Sequence, residues 1–109
     1  MATADDLRRF ALALPGTVAH PHLDRTAFKV ARTFVTLAPD GLSANFKFSP
    51  EGQEFKCLLA PDIFVPVAGG WGRVGFTCGT LVAMSVADLE AALAMAHAHA
   101  VKKPRARKR

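Results

Sequence analysis

Hydrophobic and polar residues alternate along Thr26–Pro50, the stretch around which the rest of the chain is organised. A period of two is typical of strands that have one buried face. It predicts three short antiparallel strands joined by turns at Ala31–Arg32 and Pro39–Gly41. In the second turn, proline presets φ and glycine accepts a positive φ. One face of this sheet is therefore expected to be covered, and the other to meet water or a polar partner.

The alternation also assigns each strand residue to a face. The covered face is expected to hold Phe28, Val30, Thr33, Val35, Leu37, Leu42, Ala44, Phe46 and Phe48. The open face is expected to hold Lys29, Thr36, Asn45 and Lys47, with Phe34 as its one large apolar residue. Cations and an amide on a strand face can contact phosphates and base edges. They are equally common on any half-exposed sheet, so both interpretations stay open.

Helical periodicity predicts a helix at each end of the chain. Thr3 and Asp6 have the spacing of a capping box, and the helix that follows ends at Pro15–Gly16. Ser85 repeats that spacing before a last helix that runs to about Val101.

The middle of the chain predicts one more helix and one more strand. Ser49–Pro50 begins a helix that ends at about Leu59. The residues expected to face inward on it are Phe55, Leu58 and Leu59. Residues 60–70 are predicted to be irregular, Phe76–Met84 to be a strand, and Val18–Asp24 to be extended or loop-like. The predicted fold is α+β, with helices packed on one face of an antiparallel sheet.

The formal charge of +5 is concentrated at one end of the chain. Residues 1–101 hold eight Lys and Arg against nine Asp and Glu, a net charge of −1, and the other six cations fall in residues 102–109. We expect one folded domain over 1–101 and a disordered basic tail over 102–109. The tail could be a sequence-blind arm on nucleic acid or a solubilising extension.

The remaining composition predicts a soluble protein with reduced cysteines. Cys57 and Cys78 are too few for a disulfide scaffold and lack metal-ligand spacing, so both are expected to be small core residues. The first residues include acids where a signal peptide has basic residues, and no apolar run approaches the length of a membrane span, so neither feature is expected. We expect a cytoplasmic protein that binds no membrane, metal or cofactor; the sequence favours a monomer but leaves the oligomeric state open.

Three patterns that resemble chemical motifs are weak. Gly70–Gly75 matches G-x-G-x-x-G, but a dinucleotide site needs a strand before it and a helix after it, and a strand is predicted to follow. The glycines are expected to allow a bend that lets Trp71 lie against the sheet edge, either as a core or lid aromatic or as an exposed stacking platform. His20 and His22 are interpreted as loop residues and His97 and His99 as a solvated helix face. No nucleophile has a convincing base and orienting acid, so no enzymatic activity is expected.

Three segments, His20–Leu37, Asn45–Glu51 and Trp71–Thr77, resemble the MmcQ/YjbR family of small bacterial proteins. The resemblance implies a frataxin-like (CyaY-like) α+β fold, sometimes described as a double wing, and a DNA-binding role. The family's two basic strand positions fall on Lys29 and Lys47. Iron handling by analogy with frataxin would need an acidic ridge, and Asp5–Asp6 is the one adjacent acidic pair.

The sequence therefore predicts a non-enzymatic DNA-binding protein that uses the polar face of the meander and the basic tail. The expected nucleic-acid-binding residues are Arg25, Lys29, Arg32, Asn45, Lys47, Trp71, Arg73, Lys102, Lys103, Arg105 and Arg107. The alternative is a small-molecule or protein-binding module that uses the cleft between Gly69–Gly75 and the sheet, with Trp71 as its lid.

Overall fold

Four α-helices and six strands form along residues 1–102, the part of the chain that this computed structural model describes. The helices are α1 (Ala4–Ala13), α2 (Pro50–Leu59), α3 (Gly70–Arg73) and α4 (Val86–Val101). The strands are β1 (Val18–His22), β2 (Arg25–Lys29), β3 (Thr33–Leu37), β4 (Ser43–Lys47), β5 (Phe64–Pro66) and β6 (Phe76–Thr80). The predicted disorder of the tail beyond Lys102 lies outside the described residues.

All six strands form one antiparallel sheet in the order β1-β2-β3-β4-β6-β5. Helix α4 packs on β3 and β4, and α1 packs on α4. The predicted α+β class, with an antiparallel sheet and helices on one face, is therefore confirmed. No helix within residues 1–102 has the length and apolar character needed to cross a bilayer.

Two of the six strands were not predicted as such. β1 forms from the segment predicted to be extended or loop-like, and β5 forms inside residues 60–70, which were predicted to be irregular. The strand predicted over Phe76–Met84 ends at Thr80, where a short 3₁₀ turn, Leu81–Ala83, follows. The capped helix starts are confirmed, because Thr3 and Ser85 each form a complete capping box.

The core lies between the sheet and helices α1 and α4. Phe46, Phe48 and Phe64 form an aromatic cluster with ring centroids 5.8 to 6.1 Å apart. Leu89 and Leu93 of α4 are fully buried against the same core. Most residues predicted for the covered face, from Phe28 to Phe48, are buried there. The core therefore leaves the opposite side of the central strands available for function.

The faces predicted for Phe34 and Thr33 are wrong because of a β-bulge between β2 and β3. Phe28 lies opposite Val35, but Lys29 lies opposite Thr33, so β3 holds one extra residue at this point. The bulge breaks the period of two and turns Phe34 into the core, where its ring meets His97 edge-on at 5.3 Å. Thr33 turns to the open face instead. The predicted core residue Leu42 is also exposed, because it lies in the β3–β4 connection.

Helix α2 is rotated relative to its predicted orientation. Its predicted inward residues are outward: Phe55 is 54% exposed, Leu58 79% and Leu59 67%. The side chain of Gln53 explains the rotation, because its amide nitrogen donates to the carbonyl oxygens of Gly72 at 2.9 Å and Phe76 at 3.0 Å. These bonds point Gln53 inward and, at about 100° per residue, point Phe55 and Leu58 to solvent.

Candidate nucleic-acid interface

Charge is separated between the sheet and the rest of the chain. The six strands contain Arg25, Lys29 and Lys47 and no Asp or Glu. The nine carboxylates lie on α1, α2 and α4 and in connecting segments, of which Asp24 in the β1–β2 turn is next to a strand cation. The ion pairs within residues 1–102 both lie on α1. The open face is therefore positive even though residues 1–101 carry a net charge of −1.

A groove of about 400 Å³ lies on the open face. Thr36 and Asn45, from the central strands, line it between two rims. Trp71 forms one rim from α3, and Leu23 forms the other from the tip of the β1–β2 hairpin. A volume of this size falls within the range of about 300–1,000 Å³ that is typical of ligand sites.

Trp71 is held over the groove without being buried. Its side chain is 65% exposed, and its ring meets that of Phe76 edge-on, with centroids 5.4 Å apart. It is therefore an exposed aromatic at the rim of a cleft, and the alternative of a core residue is wrong. Gln53 anchors this segment from α2 through its bonds to the backbone carbonyl oxygens of Gly72 and Phe76, both of which follow Trp71 in the chain.

Two of the glycines around Trp71, Gly72 and Gly75, are required by close backbone packing. A Cβ on Gly72 would overlap the carbonyl oxygen of Val67, and a Cβ on Gly75 would overlap that of Phe48. Gly75 also has a φ of +113°, which side chains rarely tolerate. Strand β6 follows directly, so the G-x-G-x-x-G spacing has a packing role here.

Arg25 is oriented at the groove by two hydrogen bonds. Its Nε donates to the hydroxyl of Thr36 at 2.9 Å, and its Nη2 donates to the carbonyl oxygen of the same residue at 3.1 Å. Arg25 lines the groove together with Asn45 and Trp71, so three of the predicted residues are brought to one site. The side chain of Asn45 makes no hydrogen bond within residues 1–102.

Arg32 and Lys47 line a second depression of about 210 Å³, at the end of α4. Arg32 is not a free hairpin tip, because its guanidinium donates to the carbonyl oxygens of His99 at 2.9 Å, Lys102 at 3.3 Å and Ala100 at 3.4 Å. It therefore caps the negative end of the helix dipole.

Lys47 lies beside a histidine in this depression. Its Nζ is 3.3 Å from Nε2 of His99 and 5.9 Å from the centre of the Phe76 ring. Burial and the nearby charge of Arg32 lower the pKa of Lys47. Burial and the charges of Lys47, Arg32 and Lys102 lower the pKa of His99, which Glu51 raises to a smaller extent. An anion at this position would relieve the repulsion among these groups.

The other predicted residues lie outside both depressions. Lys29 is exposed on β2, Arg73 is exposed on α3, and Lys102 is exposed at the end of α4. The remaining predicted residues, Lys103, Arg105 and Arg107, lie outside the described part of the chain.

Several residues of the site were not predicted from the sequence. Leu23, Thr33, Phe76 and His99 line the two depressions, and Gln53 positions Trp71. Leu23 lies at the rim of the groove only because β1 pairs with β2, and no local sequence pattern predicts that pairing. The histidines of α4 were interpreted as solvated and are not: His97 bonds the carbonyl oxygen of Pro15 at 2.9 Å, and His99 contacts Lys47.

A third depression, of about 550 Å³, lies between α2 and Pro66. It is larger and more open than the groove, and Glu54 and Cys57 are among its lining residues. No Lys or Arg lines it. A negatively charged ligand is therefore better accommodated on the open face of the sheet.

The architecture matches that of a solved structure, the Deinococcus radiodurans protein DR2400, which carries a DUF419 domain. The TM-score is 0.71 with 24% sequence identity, and the match covers 85% of this chain and 74% of that one. The chain has the fold of a DUF419 domain. DUF419 is the YjbR/MmcQ-like family, the one that the sequence resembles. No family profile matches the sequence, and no curated protein is similar enough to count as a relative.

Proposed function

We propose that this chain is a cytoplasmic DNA-binding protein of the MmcQ/YjbR family that catalyses no reaction. The observation that carries the proposal is the separation of charge, with Arg25, Lys29 and Lys47 on strands that contain no carboxylate. A surface of one sign attracts a polyanion even when the whole domain is close to neutral. The resemblance of the sequence to the MmcQ/YjbR family implies the same role.

The cations divide into two groups on this proposal. Lys29 and Arg73 are exposed and can contact phosphates directly, as Lys47 can from the second depression. Arg25 and Arg32 contribute charge from fixed positions, because hydrogen bonds already hold their guanidinium groups. The tail residues Lys102, Lys103, Arg105 and Arg107 would add contacts that do not depend on base sequence.

A salt titration of duplex binding tests the proposal. Lys29→Ala with Lys47→Ala removes two cations from the open face, whereas Arg8→Ala with Lys56→Ala removes the same charge from helices α1 and α2. Each lost phosphate contact reduces the slope of log K against log salt by about 0.9 on duplex DNA. We expect the first pair to reduce the slope by up to about 1.8 units and the second pair to leave it nearly unchanged. Equal effects of the two pairs would refute binding by the sheet.

The tail is tested separately in the full-length chain. Replacing Lys103, Arg105 and Arg107 with Gln lowers its charge without shortening it. If the sheet binds DNA, this variant retains weakened binding that still depends on Lys29 and Lys47. If binding disappears altogether, the tail alone is the DNA-binding element and the folded domain has another role.

The groove favours one second candidate, a module that binds a small anionic molecule under Trp71. Its volume suits such a ligand, and Arg25 supplies a positive charge at its edge. A thermal-shift screen against anionic metabolites tests this, because a ligand at 100 times its Kd adds about 2.7 kcal/mol to the free energy of unfolding. Stabilisation by a free metabolite without any binding of DNA would favour the module.

A further inference from the structure

The groove and the second depression adjoin each other. Thr33 and Phe76 line both, so one ligand can occupy the two at the same time. The two sites differ in chemistry. The groove offers the aromatic ring of Trp71 and the amide of Asn45, whereas the depression offers the nitrogen groups of Arg32, Lys47 and His99. A ligand that fits both therefore has a flat, hydrogen-bonding part joined to an anionic part.

The rims of the groove are exposed apolar side chains. Trp71 is 65% exposed and Leu23, on the opposite rim, is 91% exposed. Leu23 has a φ of 59°, at the first position of a two-residue hairpin turn where glycine is usual. Leu23 thus places a large apolar side chain at a turn position that usually holds glycine. A flat ring could be held between these two rims, with its face on the indole.

The strand residues between the rims can recognise the edge of such a ring. Asn45 lines the groove, and its amide, which makes no hydrogen bond within residues 1–102, can both donate and accept. An amide with both functions pairs well with the edge of a nucleobase. The hydroxyl of Thr36 is already held by Arg25, so its position is fixed.

The depression is suited to a phosphate. Arg32, Lys47 and His99 converge there, and no carboxylate of residues 1–102 lines it. Among these residues, Glu51 is an acidic group that raises the pKa of His99, and its effect is the smallest of those that act on this histidine. Within residues 1–102, neither Arg32 nor Lys47 forms an ion pair with a carboxylate.

We infer that the groove binds one unpaired nucleobase of a DNA strand, stacked on Trp71, while the adjoining depression binds a phosphate of the same strand. This deepens the proposed function and rests on it. The base must be unpaired because both faces of a base inside a duplex are covered by its neighbours. The preferred ligand is then single-stranded DNA, or a duplex with an extruded base.

Trp71 is the single tryptophan of the chain, so its fluorescence reports directly on the groove. Four probes are added to the full-length protein: an oligothymidylate of about ten nucleotides, an abasic strand with the same number of phosphates, thymidine monophosphate and a blunt duplex. We expect the oligothymidylate to quench the fluorescence and to bind more tightly than the other three. The abasic strand is expected to bind through its phosphates without quenching.

A matched pair of aromatic substitutions locates the effect. Trp71→Ala should weaken binding of a labelled oligothymidylate about 5- to 150-fold, as loss of one base–aromatic stack does, with Trp71→Phe restoring part of it. Phe55→Ala removes an aromatic ring of similar exposure from α2 and should leave binding unchanged. Asn45→Ala should reduce the preference among homopolymer strands more than it reduces affinity.

The outcomes separate this inference from the proposed function. Duplex binding that depends on Lys29 and Lys47, with no quenching by any strand and no effect of Trp71→Ala, would overturn the base site and leave DNA binding in place. Failure of every strand and duplex to bind at low salt would overturn both. Equal affinity for thymidine monophosphate and the oligothymidylate would overturn a DNA strand as the occupant and identify a free nucleotide instead.

Discussion

Lys47 and His99 contact each other across the end of the sheet, with Nζ of the lysine 3.3 Å from Nε2 of the histidine. A lysine that donates to this nitrogen requires the imidazole to be neutral, since a protonated ring has no acceptor. The contact therefore links the charge state of α4 to the cationic depression on the open face. It also makes the stability of the fold dependent on pH near neutrality.

The first prediction is a loss of stability on mild acidification. The pKa of His99 is below its ordinary value of 6.5 in the folded chain, so between these two values the unfolded chain binds more protons. The free energy of unfolding should therefore fall as the pH drops from about 7 through the lowered pKa. Above about pH 7 His99 is neutral in both states, so it causes no loss of stability there. Urea denaturation at several pH values measures it.

His99→Gln should flatten that part of the profile, because glutamine does not titrate. His22→Gln is the control, since His22 is exposed on β1. Parallel profiles for the wild type and His99→Gln between pH 7 and about pH 5 would show that the contact with Lys47 does not govern the acid response.

The second prediction concerns the cap that Arg32 places on α4. Arg32→Ala removes charged hydrogen bonds to three carbonyl oxygens and should lower the free energy of unfolding by about 1.5–3 kcal/mol. Arg32→Lys keeps the charge but loses the forked geometry, so it should recover a part of that loss. Arg73→Ala, at an exposed position of α3, should change stability by less than about 0.5 kcal/mol. A shift in the urea midpoint for Arg32→Ala no larger than for Arg73→Ala would contradict the capping role.

The third prediction tests the bulge and the rotation of α2 with one substitution type. Phe34→Ala should lower the free energy of unfolding by about 3–5 kcal/mol, because Phe34 is fully buried in the core. Phe55→Ala should change it by less than about 0.5 kcal/mol, because that ring is 54% exposed. The opposite order of the two losses, measured by thermal and urea unfolding, would restore the faces that simple alternation predicts.

The fourth prediction concerns the backbone beneath Trp71. Gly75→Ala forces a Cβ into the carbonyl oxygen of Phe48 at a φ of +113°, and should cost at least about 3 kcal/mol. Gly69→Ala is the matched control, since its φ of +78° is also positive but no atom lies within 4 Å of the added carbon. Its cost should stay near about 1–2 kcal/mol. Where Gly75→Ala is largely unfolded, the folded fraction by circular dichroism replaces the denaturation midpoint.

Sequence patterns predicted the elements whose signals are local. The capping boxes at Thr3 and Ser85 and the proline after Ser49 defined helix starts that the structure confirms. Alternation placed Phe28, Val35, Ala44 and Phe46 correctly in the core. These features depend on neighbours a few residues apart, which a single sequence displays.

The structural features that were not predicted depend on contacts between residues far apart in the chain. Phe34 is buried because the register of β2 against β3 shifts by one residue at the bulge. The sequence of either strand alone does not determine this register. The rotation of α2 depends on Gln53 reaching backbone carbonyls about twenty residues away. The groove needed β1, β4 and α3 to be assembled before Leu23 and Trp71 could face each other.

The strands hold three cations and no carboxylate, so the charge of a nearly neutral domain is distributed unevenly. Such a molecule experiences a torque near a polyanion before it experiences a net pull, so its sheet would turn toward the strand during approach. The basic end of the chain would supply the long-range attraction that the domain lacks. On the proposed function, capture and orientation would then be carried out by different parts of the same short polypeptide.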